Sequence, residues 1–176
     1  MASTPINSIF DGAKWFLDRG EEQNEYLQPL KLNGLIYLSQ AYYAGLKAGA
    51  KLMPAFFVAH DLGPVDPNLY RALEQRQLNV FYEPVVGEAL LLIKSVWKKY
   101  GSMPTNQLTK ELKSHAPYKN SYNPKIRNNE IPLIEMAKFY GNLNKPKKEV
   151  GKPKFLRTQN GDVVNVTQWM PKKKGI

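Results

Sequence analysis

The chain has 176 residues, of which 43% are hydrophobic and 11% aromatic, a composition that excludes wholesale disorder and leaves room for one buried core. It contains no cysteine, which removes disulfide frameworks, thiolate chemistry and Cys-type zinc sites together. The formal net charge of +10 is uneven: nine Lys or Arg stand against two acids from Lys145 to Ile176, for +7, and sixteen against thirteen in residues 1 to 144, for +3. A basic tail of that kind attracts polyanions or an acidic protein partner. Met1 to Pro5 carries neither a basic stretch nor an apolar run, so no signal peptide is expected. No apolar run reaches the ~18 residues of a membrane span. The expectation is a soluble cytoplasmic protein with no membrane contact and no cofactor.

Taken in order, Ser8-Ile9-Phe10 with Ala13, Phe16 and Leu17 predicts a helix that stops at Gly20. Glu21 to Glu25 reads as a loop. The longest apolar-rich segment, Pro29 to Ala48, begins with a first-turn proline and ends before Gly49. Its apolar residues occupy more than one face, so it predicts the most buried helix. Leu52 to Val58 fits either a strand or a short helix, because Phe56-Phe57-Val58 is too short for periodicity to decide.

The segment Ala59 to Tyr70 contains two prolines and one glycine between Gly63 and Pro67, a density that ends any helix and makes a stiff corner. Pro64 pushes Gly63 out of the α region, Asp66 is a natural N-cap, and Pro67 suits the first position of a new helix. That helix runs to about Arg76. Further helices are predicted from Glu88 to Tyr100, from Thr105 (a cap) to Leu112, and from Ile131 to Phe139 with Asn128 or Asn129 as cap and Gly141 as stop. His115-Ala116-Pro117-Tyr118 reads as a break. The fold class is therefore all-α, a compact bundle of about six helices over residues 1 to 144. Residues 145 to 176 form a basic tail in which Asn160-Gly161, between Phe155-Leu156-Arg157 and Val163 to Val166, predicts a β-hairpin. Met170 to Ile176 is expected to be mobile.

Chemistry is sparse. Only His60 and His115 supply imidazoles, neither has another at ligand spacing, and no structural metal is expected; a carboxylate site stays open. Ser114 and His115 are sequence neighbours, which is not a triad arrangement, and His115 reads as a hydrogen-bonded corner residue. His60 beside Asp61 reads as an imidazole fixing a turn next to a carboxylate that accepts backbone amides. There is no glycine-rich phosphate loop. No catalytic residue is assigned; a hydrolase would need His60, His115 and a carboxylate converging in one pocket. The tail, through Lys147, Lys148, Lys154, Arg157, Trp169, Lys172, Lys173 and Lys174, has the composition to neutralise phosphates and stack bases, or to clamp an acidic partner.

Three segments carry a resemblance. Leu30 to Tyr42, Ala59 to Tyr70, and Tyr100 to Met103 continuing through Leu108-Thr109 to Ser114-His115-Ala116-Pro117-Tyr118 resemble, in matching order over residues 8 to 141, the Panacea or SocA-like antitoxin domain. The chain departs from that pattern at His60 and Tyr118, where the family usually has Trp, and at Asn33-Gly34, where it commonly has Gln-Lys. The resemblance implies a mostly helical, non-enzymatic antitoxin or adaptor of mobile elements and prophages, which neutralises a toxin by binding it and in some cases delivers it to a protease or chaperone. On that footing the expected partner-binding residues are Tyr37, Gln40, His60, Asp61, Gly63, Pro64, Val65, Tyr70, His115 and Tyr118. The alternative is a nucleic-acid-binding accessory protein of a mobile element that acts through the basic tail.

Overall fold

The computed structural model describes residues 4–76, 78 and 82–143, together with the backbone of 154–157 and 163–166. The first helix, α1 (Ile9–Glu22), starts at a reciprocal cap: Ser8 Oγ accepts the Phe10 amide at 3.2 Å and Asp11 Oδ2 accepts the Ser8 amide at 3.0 Å. It continues two residues past Gly20. Then α2 (Pro29–Leu46) opens on its first-turn proline and is enclosed along most of its length, with Leu32, Leu35, Ile36, Tyr37 and Leu38 wholly buried. A helix covered on all sides has no polar stripe, which is why its apolar positions show no single face.

After α2 the chain forms an antiparallel hairpin, β1 (Phe57–His60) and β2 (Gly63–Val65), in the register Val58↔Val65, Ala59↔Pro64 and His60↔Gly63. Only Asp61 and Leu62 lie between the strands, and Gly63 has φ +126°, a conformation that suits glycine. Next, α3 (Pro67–Glu74) is capped by Asp66 and begins with Pro67. It is followed by α4 (Gly87–Tyr100), α5 (Thr105–Ser114) and α6 (Ala116–Ser121). A two-residue strand, β3 (Glu130–Ile131), pairs with the free edge of β1, giving the sheet order β2-β1-β3. The last helix of this unit, α7 (Leu133–Leu143), lies along α2. The approach is so close that a Cβ on Gly45 would stand 2.5 Å from the Gly141 amide nitrogen.

The fold is thus mainly helical, and the all-α expectation is corrected in two respects. The stretch around Phe57 becomes a strand because β2 takes its backbone groups on one side and residues 129–131 take them on the other, with Ala59 N donating to Asn129 O at 2.8 Å. The break at His115 to Tyr118 is instead the start of α6, a helix beyond the six expected, since Pro117 lies in the first turn, where its missing amide costs no helical hydrogen bond. Two caps also differ. Thr105 is the first residue inside α5, and Asn129 spends its carbonyl on β1 and its side-chain amide on Ser121 O at 3.1 Å.

The chain divides into two units, Met1–Lys145 and Pro146–Ile176. In the second, β4 (Lys154–Arg157) and β5 (Val163–Val166) pair antiparallel from Lys154↔Val166 to Arg157↔Val163. The turn expected at Asn160-Gly161, the Met170 to Ile176 end, and the basic residues Lys147, Lys148, Lys172, Lys173 and Lys174, with Trp169, lie outside the described residues.

Candidate functional site

The β1–β2 corner is fixed from below by one carboxylate. Asp66 is almost fully buried, yet both of its oxygens are occupied: Oδ1 accepts the Asn68 and Leu69 amides at 2.9 and 3.1 Å, and Oδ2 accepts the Phe56 amide at 3.1 Å. Its own amide donates to Asn33 Oδ1 at 3.0 Å, and Asn33 Nδ2 donates to Pro29 O at 2.9 Å. A buried anion with three N–H donors is stable where a bare one would not be. This explains Asn33-Gly34 in physical terms: Asn33 ties α2 to the corner, and a Cβ at Gly34 would meet Leu108 and Leu112 of α5 at 3.1 Å.

The tip of the hairpin is braced from the side. Tyr118 Oη donates to His60 O at 2.7 Å, Tyr122 Oη donates to Asp61 Oδ1 at 3.0 Å, and Lys113 Nζ donates to Asp61 O at 2.7 Å. The two tyrosine rings stack, 5.4 Å between centroids and 14° apart in plane. Burial, with the charges of Tyr122 and Asp61 behind it, pushes the Tyr118 hydroxyl up to about 12, and the hydrogen bond to Asp61 raises Tyr122. Both hydroxyls therefore stay protonated donors at neutral pH. His60 turns its ring onto the corner, where Nδ1 accepts the Leu62 amide at 3.2 Å and the imidazole lies 6.1 Å from the Tyr70 ring.

What the tip offers outward is Leu62, 44% exposed, and the Asp61 edge. Together with Leu30, Thr109, Lys110 and Lys113 they line an open groove of about 540 Å³ between the start of α2, the tip and α5. Neither Lys110 nor Lys113 forms an ion pair among the described residues.

The expected site residues separate into two groups. His60, Asp61, Tyr70 and Tyr118 gather at the corner with the buried Gly63, Pro64 and Val65, which shape it without reaching solvent. Tyr37 and Gln40 are enclosed in α2 and present no surface to a partner. Gln40 Oε1 accepts the Leu52 and Met53 amides at 3.0 and 3.1 Å, and burial raises the Tyr37 hydroxyl. His115 belongs elsewhere too. It sits at the α5–α6 junction, with Nδ1 2.8 Å from Tyr140 Oη and its ring 4.9 Å from Phe139, and burial lowers its imidazole below the usual value. Among the described residues no three His, Asp or Glu side chains are grouped so as to hold a metal ion. The expectations missed Leu62, Lys110, Lys113 and Tyr122. The spacing of Tyr118 and Tyr122, four apart on one helical face, was the signal available for the last of these.

Among the described residues no helix is long and apolar enough to cross a membrane. Compared with known family patterns, curated proteins and solved structures, the chain matches none of them.

Proposed function

We propose that this chain is a non-catalytic binding protein, an antitoxin or adaptor of the Panacea type that neutralises a partner protein toxin by direct contact. The observation that carries the reading is the braced tip. Three side chains from α5, α6 and the residue after α6 hold Asp61-Leu62 in place beside an open groove. A tip held this way loses little conformational entropy on binding, so its contacts convert more fully into affinity. The partner surface it fits is an acidic segment with one apolar anchor. Leu62 and Leu30 supply apolar walls, and Lys110 and Lys113 supply the complementary charge.

Co-expression with the product of the adjacent reading frame tests this. The product alone arrests growth, the wild-type chain restores it, and the Leu62→Asp and Lys110→Glu/Lys113→Glu variants fail to restore it while keeping the wild-type thermal transition. A product that is harmless by itself, or variants that rescue fully, would end the reading.

A second reading rests on the tail, whose +7 charge over Lys145 to Ile176 suits nucleic acid. It predicts affinity for DNA or RNA that falls steeply with salt and vanishes on removal of residues 145 to 176. Salt-insensitive or tail-independent binding excludes it.

A further inference from the structure

A second concave site lies between α2 and α4, apart from the hairpin tip and lined by none of the expected partner-binding residues. It is a cleft of about 310 Å³, at the lower end of the range for small-molecule sites. Its walls are Leu46, Leu92 and Val96. Three polar groups share the cleft: Tyr42 Oη and Tyr100 Oη are 2.8 Å apart, and Lys99 Nζ donates to Tyr42 Oη at 3.1 Å. The ammonium also lies over both rings, 5.6 Å from that of Tyr42 and 4.9 Å from that of Tyr100.

No carboxylate pairs with Lys99 among the described residues. One of its three donors is used on the Tyr42 hydroxyl, which leaves donors for a ligand. Burial pushes the Tyr100 hydroxyl up to about 12, and the adjoining Tyr100 and Tyr42 hydroxyls raise Lys99 above its ordinary value. At neutral pH the cleft therefore presents the positive charge of Lys99 beside the Tyr100 and Tyr42 hydroxyl groups. A single ammonium with no arginine fork matches a monoanion better than a phosphate, and the aliphatic walls call for an apolar body on that anion.

We propose that this cleft binds a small apolar monocarboxylate, its carboxylate on Lys99 Nζ and its hydrocarbon part against Leu46, Leu92 and Val96. The inference stands apart from partner binding at the hairpin tip, and its test needs no partner.

The probe is 3-phenylpropanoate, titrated into the full-length, ¹⁵N-labelled chain and followed by amide chemical shifts. The controls are 3-phenylpropanamide, which keeps the shape and loses the charge, and two variants whose spectra report their folding. Lys99→Met keeps the aliphatic stem, and Ser95→Trp fills the cleft from the exposed side of α4. The expected result is saturable shifts confined to α2 and α4 with a Kd of about 1 mM. Affinity falls about tenfold for the amide and for Lys99→Met, the loss of one charge-assisted contact, and binding disappears in Ser95→Trp. Absence of saturation, shifts centred elsewhere, or an amide or Lys99→Met affinity within about twofold of the reference overturns the proposal.

Discussion

Two parts of the molecule use the same residue types to opposite ends. Around Tyr140, a tyrosine hydroxyl and an imidazole meet inside the packing of α2, α6 and α7, with Tyr37 and Tyr42 set edge-on to the Tyr140 ring at 6.2 and 5.0 Å. Around Asp61, Tyr118 and Tyr122 reach outward to hold a loop that faces solvent. In the first region His115 Nδ1 and Tyr140 Oη satisfy each other and Tyr37 Oη is enclosed without a hydrogen-bond partner, so neither Tyr37 nor Tyr140 is offered to solvent. In the second they spend themselves on a backbone carbonyl and a carboxylate, so that the tip bearing Leu62 is held beside Lys110 and Lys113. The lesson is that a tyrosine or histidine within a motif does not mark a contact surface; the fraction of it that stays wet does.

That contrast can be broken at four points. The largest effect is expected where the interior is tightest. Gly45→Ala places a methyl group against the Gly141 backbone and should cost about 3 kcal/mol in urea unfolding, since both helices must move apart. A cost near zero would mean that α2 and α7 are not packed backbone to backbone. Asp66→Ala, which removes the α3 cap and strands the Phe56 amide, should cost about 2 kcal/mol by the same measurement and loosen the tip. Asp66→Asn should retain part of this, because its amide oxygen still accepts.

The third test compares the two regions directly. Tyr140→Phe leaves His115 Nδ1 without its partner inside the protein and should destabilise by about 1 kcal/mol, whereas Tyr122→Phe, at a wetter site, should leave stability within roughly 0.5 kcal/mol. Tyr122→Phe should instead weaken rescue in the co-expression assay. Equal stability losses would erase the distinction between core and tip.

The smallest effect is a pH dependence. Burial, against Glu111 and with the help of Lys99 and Lys119, lowers His115, so the unfolded chain takes up its proton at a higher pH than the folded one. The contribution of a neutral His115 is complete above the usual imidazole value of about 6.5. It declines as pH falls from there towards the lowered folded value, and below that it changes no further. Urea midpoints at pH 7.5 and 5.5 should therefore differ more in the wild type than in His115→Asn, and an identical difference in both would remove His115 from the account.

Much of the local structure was legible in residue order because its causes are local. Pro29 and Gly63-Pro64-Val65-Asp66-Pro67 act within a few residues through a cap or a restricted φ, and the first-turn prolines and the Asp66 cap appear where expected. Leu52 to Val58 was ambiguous because a strand as short as Phe57–His60 is decided by its partners, and one of them is more than sixty residues away in β3. His115 to Tyr118 reads as a break and forms a helix start, since the same proline serves both.

The amino-acid order by itself determined where α2 and α3 begin, that the chain turns a corner near Gly63, and that positive charge gathers after Lys145, because those depend on backbone sterics and counting. Only the tertiary structure decided that Tyr37 and Gln40 are enclosed, that Leu62, Lys110 and Lys113 share a groove, and that Lys99 meets two tyrosine hydroxyls beside an apolar cleft. Exposure and proximity between distant residues are properties of how helices pack, and packing is set by shape complementarity summed over the whole interior, which no short stretch of sequence contains.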